Sequence, residues 1–128
     1  MVKYVKIDPA SGEMVLLVKA SPQARMPRRH QSGTVIACTI KGRWQYLEHD
    51  WVAEPGSVVY SGPGECKTAQ ALGGDEDILV LKVVVGDLAF LDDRGEVLAI
   101  ENCETGLHRY KEHCRSAGIP ARDLANLS

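Results

Sequence analysis

Two apolar runs flank a Gly-Asp pair in the stretch Ile78–Leu91, which reads ILVLKVVVGDLAFL. Both runs are rich in branched apolar residues and have the length of β-strands. Glycine accepts the positive φ that a tight turn needs, so Gly86-Asp87 between Val83–Val85 and Leu88–Leu91 predicts a two-residue β-hairpin. The stretch therefore indicates an antiparallel β protein.

Further short strands occupy most of the chain around this stretch. The predicted strands are Met14–Lys19, Thr34–Ile40, Arg43–Glu48, Ser57–Tyr60, Ile78–Val85 and Val97–Glu101. The turn clusters between them include Asp8–Gly12, Lys41–Gly42, Glu54–Gly56, Gly62–Gly64, Gly73–Asp75 and Asp92–Gly95. Strands at this spacing, without helical patterns between them, predict a sandwich or barrel rather than a βαβ sheet.

The C-terminal quarter has a different, helical pattern. Apolar positions recur at helical spacing at Leu107, Tyr110, Cys114 and Ala117. Asn102 or Thr105 can cap the start of this helix, and Gly118 and Pro120 can end it. We expect a single domain over residues 1–128, with a barrel over about 1–101, a helix over about 104–117 and a polar tail.

Composition narrows the classes of function. The 128 residues contain 15 Lys plus Arg and 17 Asp plus Glu, a net charge of −2, which gives a nucleic-acid partner no electrostatic support. No apolar run is long enough for a membrane span or a secretory signal, so we expect a cytoplasmic protein without a membrane partner. The four cysteines form no C-x-x-C pair, which excludes a zinc-ribbon site and a thioredoxin-type redox site. Nucleotide-binding glycine motifs and the G-x-S-x-G elbow are also missing.

Two stretches of the sequence follow each other in the same order as two signature stretches of a known family. Pro27–His30 (PRRH) precedes two strands joined at Gly42, and Glu54–Lys67 (EPGSVVYSGPGECK) follows them. This order resembles the two signature stretches of the cupin superfamily. The block Lys41–Trp51 (KGRWQYLEHDW) and the ending around Leu107–Tyr110 resemble the small single-domain cupins related to 2,4′-dihydroxyacetophenone dioxygenase and acetylacetone dioxygenase. The resemblance implies an all-β double-stranded β-helix, an RmlC-like jelly-roll barrel, with a C-terminal α-helix.

The same resemblance implies where a metal would be held. In metal-using cupins, histidines from both signature stretches hold Fe(II) or a similar ion inside the barrel. Carried onto this sequence, the first-stretch pair falls on Arg28 and His30, and the second-stretch histidine falls on Lys67. Two cations there would repel a divalent ion. We therefore expect no cofactor; the alternative is Fe(II) or another divalent metal with His30 as a ligand.

Site residues follow from this alignment and from side-chain chemistry. The expected catalytic residues are His30, Lys67, Arg28 and Arg43. In these roles His30 is a general acid or base, Lys67 a base or imine-forming amine, and Arg28 a cation for enolates or carboxylates. The expected substrate-binding residues are Gln45, Tyr46, Glu48, Ser61 and Cys38. Which face of the strand Arg43–Leu47 lines the pocket stays open: Arg43 and Gln45, or Trp44 and Tyr46.

Three functions are compatible with this site. The first is metal-independent acid/base or enolate chemistry (isomerisation, cyclisation or lyase-type) on a small carbonyl-containing or polyketide-like substrate. The second is an Fe(II)-dependent dioxygenase cleaving a diketone or hydroxyketone, and the third is a non-catalytic small-molecule binding cupin. Most of these residues are also explained as solvated surface charges or as packing aromatics. We further expect a homodimer formed through exposed sheet edges.

Overall fold

A computed structural model of the chain describes residues 1–125. The elements are β1 (Val2–Asp8), β2 (Glu13–Ala20), β3 (Arg28–Gln31), β4 (Val35–Lys41), β5 (Trp44–Tyr46), β6 (Val58–Ser61), β7 (Cys66–Lys67), β8 (Ala69–Ala71), β9 (Ile78–Val85), β10 (Leu88–Leu91), β11 (Val97–Glu101) and α1 (Cys103–Ala117). Antiparallel pairing arranges the strands in a five-stranded sheet β1-β2-β9-β4-β6, a four-stranded sheet β11-β10-β3-β7 and a two-stranded sheet β5-β8. The all-β barrel with a C-terminal helix is confirmed.

All six predicted strands exist. Ile78–Val85 and Val97–Glu101 have the predicted bounds, whereas the strand predicted over Arg43–Glu48 is reduced to β5. The prediction missed β1, β3, β7 and β8. Of these, β3, β7 and β8 have only two to four residues, which is too short for side-chain alternation to stand out.

The predicted hairpin at Gly86-Asp87 is wrong. Strand β9 lies in the five-stranded sheet and β10 in the four-stranded sheet, so the turn joins two sheets. Gly86 has a φ of 86° and donates its N–H to the Gly12 carbonyl at 3.0 Å. Ser32 closes the turn from the other side: its hydroxyl accepts from the Asp87 N–H at 2.8 Å, and its own N–H donates to the Asp87 carbonyl at 3.0 Å. The glycine is needed for the turn, but the turn is a crossover between sheets.

The helix begins and ends close to the predicted positions. Asn102 is the N-cap and exchanges hydrogen bonds with Thr105 in a capping box, and Gly118 ends the helix in the left-handed conformation with φ 68°. The tail is less polar than expected, since Leu124 is buried and its carbonyl accepts from the Ile7 N–H at 3.2 Å. The last part of the predicted tail, 126–128, lies outside the described residues. Across residues 1–125, no helix combines the length and apolar character needed to cross a bilayer.

Two apolar clusters fill the barrel. One contains Ile7, Met14, Leu16, Val35, Val84, Leu88, Cys103 and Leu124, and so joins both large sheets to the helix. The other contains Ala37, Trp44, Tyr46, Ala53, Ile78 and Val80, and so joins the five-stranded sheet to β5. Burial of these side chains is the main stabilising term of the fold. Several buried side chains inside this apolar barrel are charged or polar, and they define the site.

Candidate active site in the barrel interior

Strand β3 presents alternate residues to the interior. Arg29 and Gln31 are buried, with exposed fractions of 5% and 1%, whereas Arg28 and His30 are exposed. Because successive side chains of a strand point to opposite faces, a shift of one residue in the alignment moves the whole set to the other face. The expectation that Arg28 and His30 line the pocket is therefore not met. The interior positions of this stretch belong to Arg29 and Gln31.

Lys67 lies in the barrel interior with several partners. Its exposed fraction is 5%, and its Nζ donates to the Ser61 hydroxyl at 2.9 Å. The same Nζ lies 3.4 Å from Oε1 of Glu65 and 4.8 Å from the ring centroid of Tyr46. Ser61 and Tyr46 are themselves buried, at 1% and 0% exposure. The structure thus brings together three of the predicted site residues, and the apolar face of β5 is the one that points inward.

Arg29 is the cross-strand neighbour of Lys67 and also contacts Tyr46. Its Nη2 donates to the Tyr46 hydroxyl, and its Cζ lies 5.5 Å from the ring centroid. Its buried Nε has no hydrogen-bond partner among the described residues. No carboxylate of residues 1–125 forms an ion pair with this guanidinium. Arg29 therefore brings a positive charge and a free donor into the barrel.

Lys82 is a further residue, after Arg29 and Gln31, that the predicted site did not include. It lies in the middle of β9, on the same face as the buried Val80 and Val84, and its neighbours across the sheet are Leu16 in β2 and Ala37 in β4. Burial, together with the nearby charge of Arg29, lowers the pKa of Lys82 well below its ordinary value. The signal was present in ILVLKVVV, where a lysine interrupts an apolar run on the face shared with Val80 and Val84.

Arg29 and Lys82 line the same cavity. This cavity has a volume of about 190 Å³ and is walled mainly by apolar side chains. Its lining consists of Val2, Leu16, Val18, Met26, Pro27, Arg29, Ala69, Lys82, Leu88, Phe90, Glu101 and Arg109. A second cavity of about 60 Å³ shares Lys82, Val18 and Ala69 with it. Two cationic side chains from opposite sheets thus meet an apolar space, which is an arrangement typical of a small-ligand site.

Glu101 is the carboxylate that lines the larger cavity, and it is already paired. It forms an ion pair with Arg109 of α1 and accepts a hydrogen bond from the Tyr4 hydroxyl at 2.7 Å. Burial raises the pKa of the Tyr4 hydroxyl, against the opposing effect of Arg109. This network ties the helix to β1 and β11 and leaves the charge of Arg29 without a carboxylate of its own.

Neither of the two interior cavities is lined by any of the predicted site residues. Arg43 is exposed and its Nε lies 3.4 Å from Oε1 of Glu54. Cys38 lies on the outward face of β4, since Ala37 and Thr39 on either side of it are the buried residues. Arg43 and Cys38 therefore lie outside both interior cavities.

Gln45 and Glu48 also lie apart from the cavity. Gln45 occupies the middle of β5 on the face opposite to Trp44 and Tyr46, and it is half-buried. Partial burial raises the pKa of the Glu48 carboxyl, but hydrogen bonds with Thr68 and with its own backbone, together with the charge of His49, outweigh this and hold the pKa below its ordinary value. The Thr68 N–H donates to Glu48 Oε1 at 2.8 Å, so this carboxylate fastens the loop after β5 to the segment between β7 and β8.

The interior does not provide the donors that a cupin iron needs. Nowhere in residues 1–125 do three His, Cys, Asp or Glu side chains form a group that could hold a metal ion. The buried polar side chains of the two signature stretches are Arg29, Ser61 and Lys67, with Gln31 next to the first stretch, and two of these four are cations. Fe(II) in such sites takes imidazole and carboxylate ligands, so the residues present do not fit it.

Comparisons with known proteins identify the class. No protein-family model matches the sequence, and no curated protein matches it. Among solved structures, an RmlC-like cupin protein from Ralstonia eutropha JMP134 has a TM-score of 0.95 and 45% identity, covering 100% of this chain and 82% of its own. The barrel is therefore that of a cupin. The chain belongs to the RmlC-like cupins, as the sequence resemblance implied.

More distant structures share the fold alone. A protein of unknown function with a cupin-like fold, also from Ralstonia eutropha JMP134, has a TM-score of 0.86 and 20% identity, covering 94% of this chain and 76% of that one. An acetylacetone dioxygenase from Acinetobacter johnsonii has a TM-score of 0.75 and 13% identity, covering 84% of this chain and 73% of that one. The similarity to a dioxygenase is one of architecture.

Proposed function

We propose that this cupin is a metal-independent enzyme that performs acid/base or enolate chemistry on a small carbonyl-containing carboxylate. The observation that carries the proposal is the cavity shared by Arg29 and Lys82, which come from opposite sheets. The cationic side chains in the interior support a role in binding and stabilising anions rather than a metal ion.

Arg29 is suited to hold the carboxylate of such a substrate. Its guanidinium is positioned by the Tyr46 hydroxyl and ring, while its buried Nε has no partner within the described chain. A carboxylate oxygen would supply the missing acceptor. Charge-assisted hydrogen bonds of this kind contribute about 1.5–3 kcal/mol, and exclusion of water strengthens them.

The cavity limits the size and polarity of the substrate. An apolar protein cavity of about 150 Å³ holds a benzene molecule, and the cavity here has about 190 Å³. The substrate is thus a compact acid whose apolar part contacts Leu16, Val18, Leu88 and Phe90. Extended polyketide-like molecules exceed this space, so short-chain keto acids are the favoured class.

Solvent proton exchange tests the proposal. In deuterated buffer, the chelator-treated protein should accelerate deuterium incorporation next to the keto group of 4-methyl-2-oxopentanoate, as followed by NMR. Arg29→Met should weaken binding of this acid roughly ten- to a hundred-fold, because it removes the charge-assisted bonds. Arg28→Met is the matched control, since the neighbouring side chain lies outside the barrel and should leave binding unchanged.

The possible results separate the functions. Deuterium incorporation that requires added Fe(II) would contradict the metal-independent mechanism and favour the dioxygenase alternative. Arg29-dependent binding without any exchange, for all short keto acids tried, would favour a binding protein. Equal effects of Arg28→Met and Arg29→Met would contradict the assignment of the site to this cavity.

A further inference from the structure

Extending the proposed function, on which this step rests, we infer that Lys82 is the nucleophile of the site and forms an imine with the keto carbon of a small 2-oxo acid whose carboxylate pairs with Arg29. The sequence alone favoured Lys67 for imine formation. In the structure, Lys67 and Lys82 differ in their interaction partners and in their access to the cavity.

Lys67 is occupied by structural contacts. Its ammonium donates to Ser61, lies beside Glu65 and faces the ring of Tyr46, and it lines neither of the two interior cavities. An amine held in this way is poorly placed to act as a nucleophile, because its nitrogen would have to give up these contacts to reach a carbonyl carbon.

Lys82 has the opposite surroundings. Within residues 1–125 its side chain has no hydrogen bond and no ion pair, and it lines both interior cavities. It lies between Leu16 and Ala37 of the adjacent strands, which provide no polar group to satisfy an ammonium. An unpartnered amine facing an apolar cavity is favoured in its neutral form, which is the form that attacks a carbonyl.

The charged groups around the cavity also favour the neutral form of the Lys82 amine. Arg29 faces Lys82 from β3 and lowers the pKa of the amine further, after the larger effect of burial. Arg109 of α1 also lines the cavity, and Glu101 of β11 is paired with Arg109 and Tyr4. The site thus combines a permanent cation for a carboxylate with an amine whose neutral form is favoured, which matches a 2-oxo acid with its adjacent carboxylate and keto groups.

The chemistry balances without an added oxidant or reductant. The lone pair of Lys82 Nζ forms a bond to the keto carbon while the C=O π electrons move to oxygen, and a proton shift from nitrogen to oxygen gives a carbinolamine. Proton-assisted loss of the hydroxyl group as water gives the protonated imine. The adjacent carbon then loses a proton to solvent water, and the electron pair of the broken C–H bond moves toward the positive nitrogen, which yields an enamine. This provides the carbanion chemistry of the proposed function without a metal.

Reductive trapping tests the imine directly. The intact protein is incubated with 4-methyl-2-oxopentanoate and sodium borohydride, digested, and mapped by mass spectrometry. The expected result is a reduced adduct on the peptide that contains Lys82, lost in Lys82→Met and kept in Lys111→Met, which changes an exposed helix residue. Mapping of the unmodified protein locates the adduct even if Lys82→Met does not fold.

A second ligand separates this inference from the proposed function. The acid 4-methylpentanoate lacks the keto group, so it can pair with Arg29 but cannot form an imine. If it stabilises the protein thermally in an Arg29-dependent way while borohydride traps nothing on Lys82, the imine is overturned and the anion site stands. An adduct on Lys67 or on surface lysines alone also overturns the inference. If neither acid binds, both the inference and the proposed function fail.

Discussion

Replacing Lys82 with methionine should make the protein more stable, and by an amount that depends on pH. The side chain is half-buried between apolar neighbours and near Arg29, so protonating its amine in the folded state is unfavourable. Methionine is close to lysine in length and leaves no charge to desolvate. In the unfolded chain the same lysine is fully hydrated and titrates at about pH 10.4.

The sign of the pH dependence follows from linkage. Because the pKa is lower in the folded state, the unfolded chain binds more protons between the two pKa values, and stability rises with pH in that range. The destabilisation is fully present below the folded pKa and disappears as the pH approaches the unfolded value. Each pH unit within the range changes the free energy of unfolding by up to about 1.4 kcal/mol.

Urea unfolding between pH 7 and pH 9.5 measures this effect. The stability advantage of Lys82→Met over the wild type should shrink steadily as the pH rises, whereas Lys111→Met on the exposed helix face should follow the wild type throughout. Other titrating groups are common to all three proteins and cancel in the differences. Parallel curves for Lys82→Met and the wild type would refute the argument that this amine is desolvated.

Three further predictions concern the scaffold. Gly33→Ala should lower the free energy of unfolding, measured with urea, by about 1–3 kcal/mol, because a Cβ there would collide with the Val85 carbonyl oxygen. The control is Gly62→Ala, whose Cβ meets no atom closer than 3.8 Å and which should leave the free energy of unfolding nearly unchanged. Asn102→Ala should lower the free energy of unfolding by about 1 kcal/mol, because the helix loses its N-cap. Thermal or urea unfolding measures this change, and an unchanged stability would refute the role of the capping box. Leu98→Lys, on the exposed edge strand β11, should shift the expected homodimer to monomer by light scattering, and an unchanged mass would contradict pairing at this edge.

The helix was predictable because its signals are local. Asn102 and Thr105 form a capping box within one turn, and Gly118 ends the helix within its last turn. Capping acts over a few residues, so it is read from the sequence without knowledge of the rest of the fold. The branched apolar runs of β9 and β11 are local signals of the same kind.

Strand partners and strand faces were harder to predict. The turn at Gly86-Asp87 was recognised, but nothing local distinguishes a hairpin from a crossover between two sheets. In β3, two adjacent arginines and a histidine fit either face equally well, and the family alignment selected the exposed pair. The resulting error of one residue exchanged Arg29 for Arg28 in the site.

The cavity itself could not be predicted from sequence motifs. Lys82 belongs to neither cupin signature stretch, and its significance comes from facing Arg29 across the barrel. Tyr46 and Lys67 were found because the aligned stretches contain them. A lysine at an inward position of a central strand is nevertheless visible in the sequence once the strand and its faces are assigned.

The contacts of Arg29 and Lys67 with Tyr46 lie deep in the barrel, so they should be less sensitive to ionic strength than a surface ion pair. These cations contact a ring and hydroxyls as well as Glu65, and they are shielded from mobile ions by the sheets. A surface pair such as Arg43–Glu54 weakens as salt is added, whereas charges this deep are screened far less. Added sodium chloride should therefore loosen the periphery of the molecule well before it alters the environment around Tyr46.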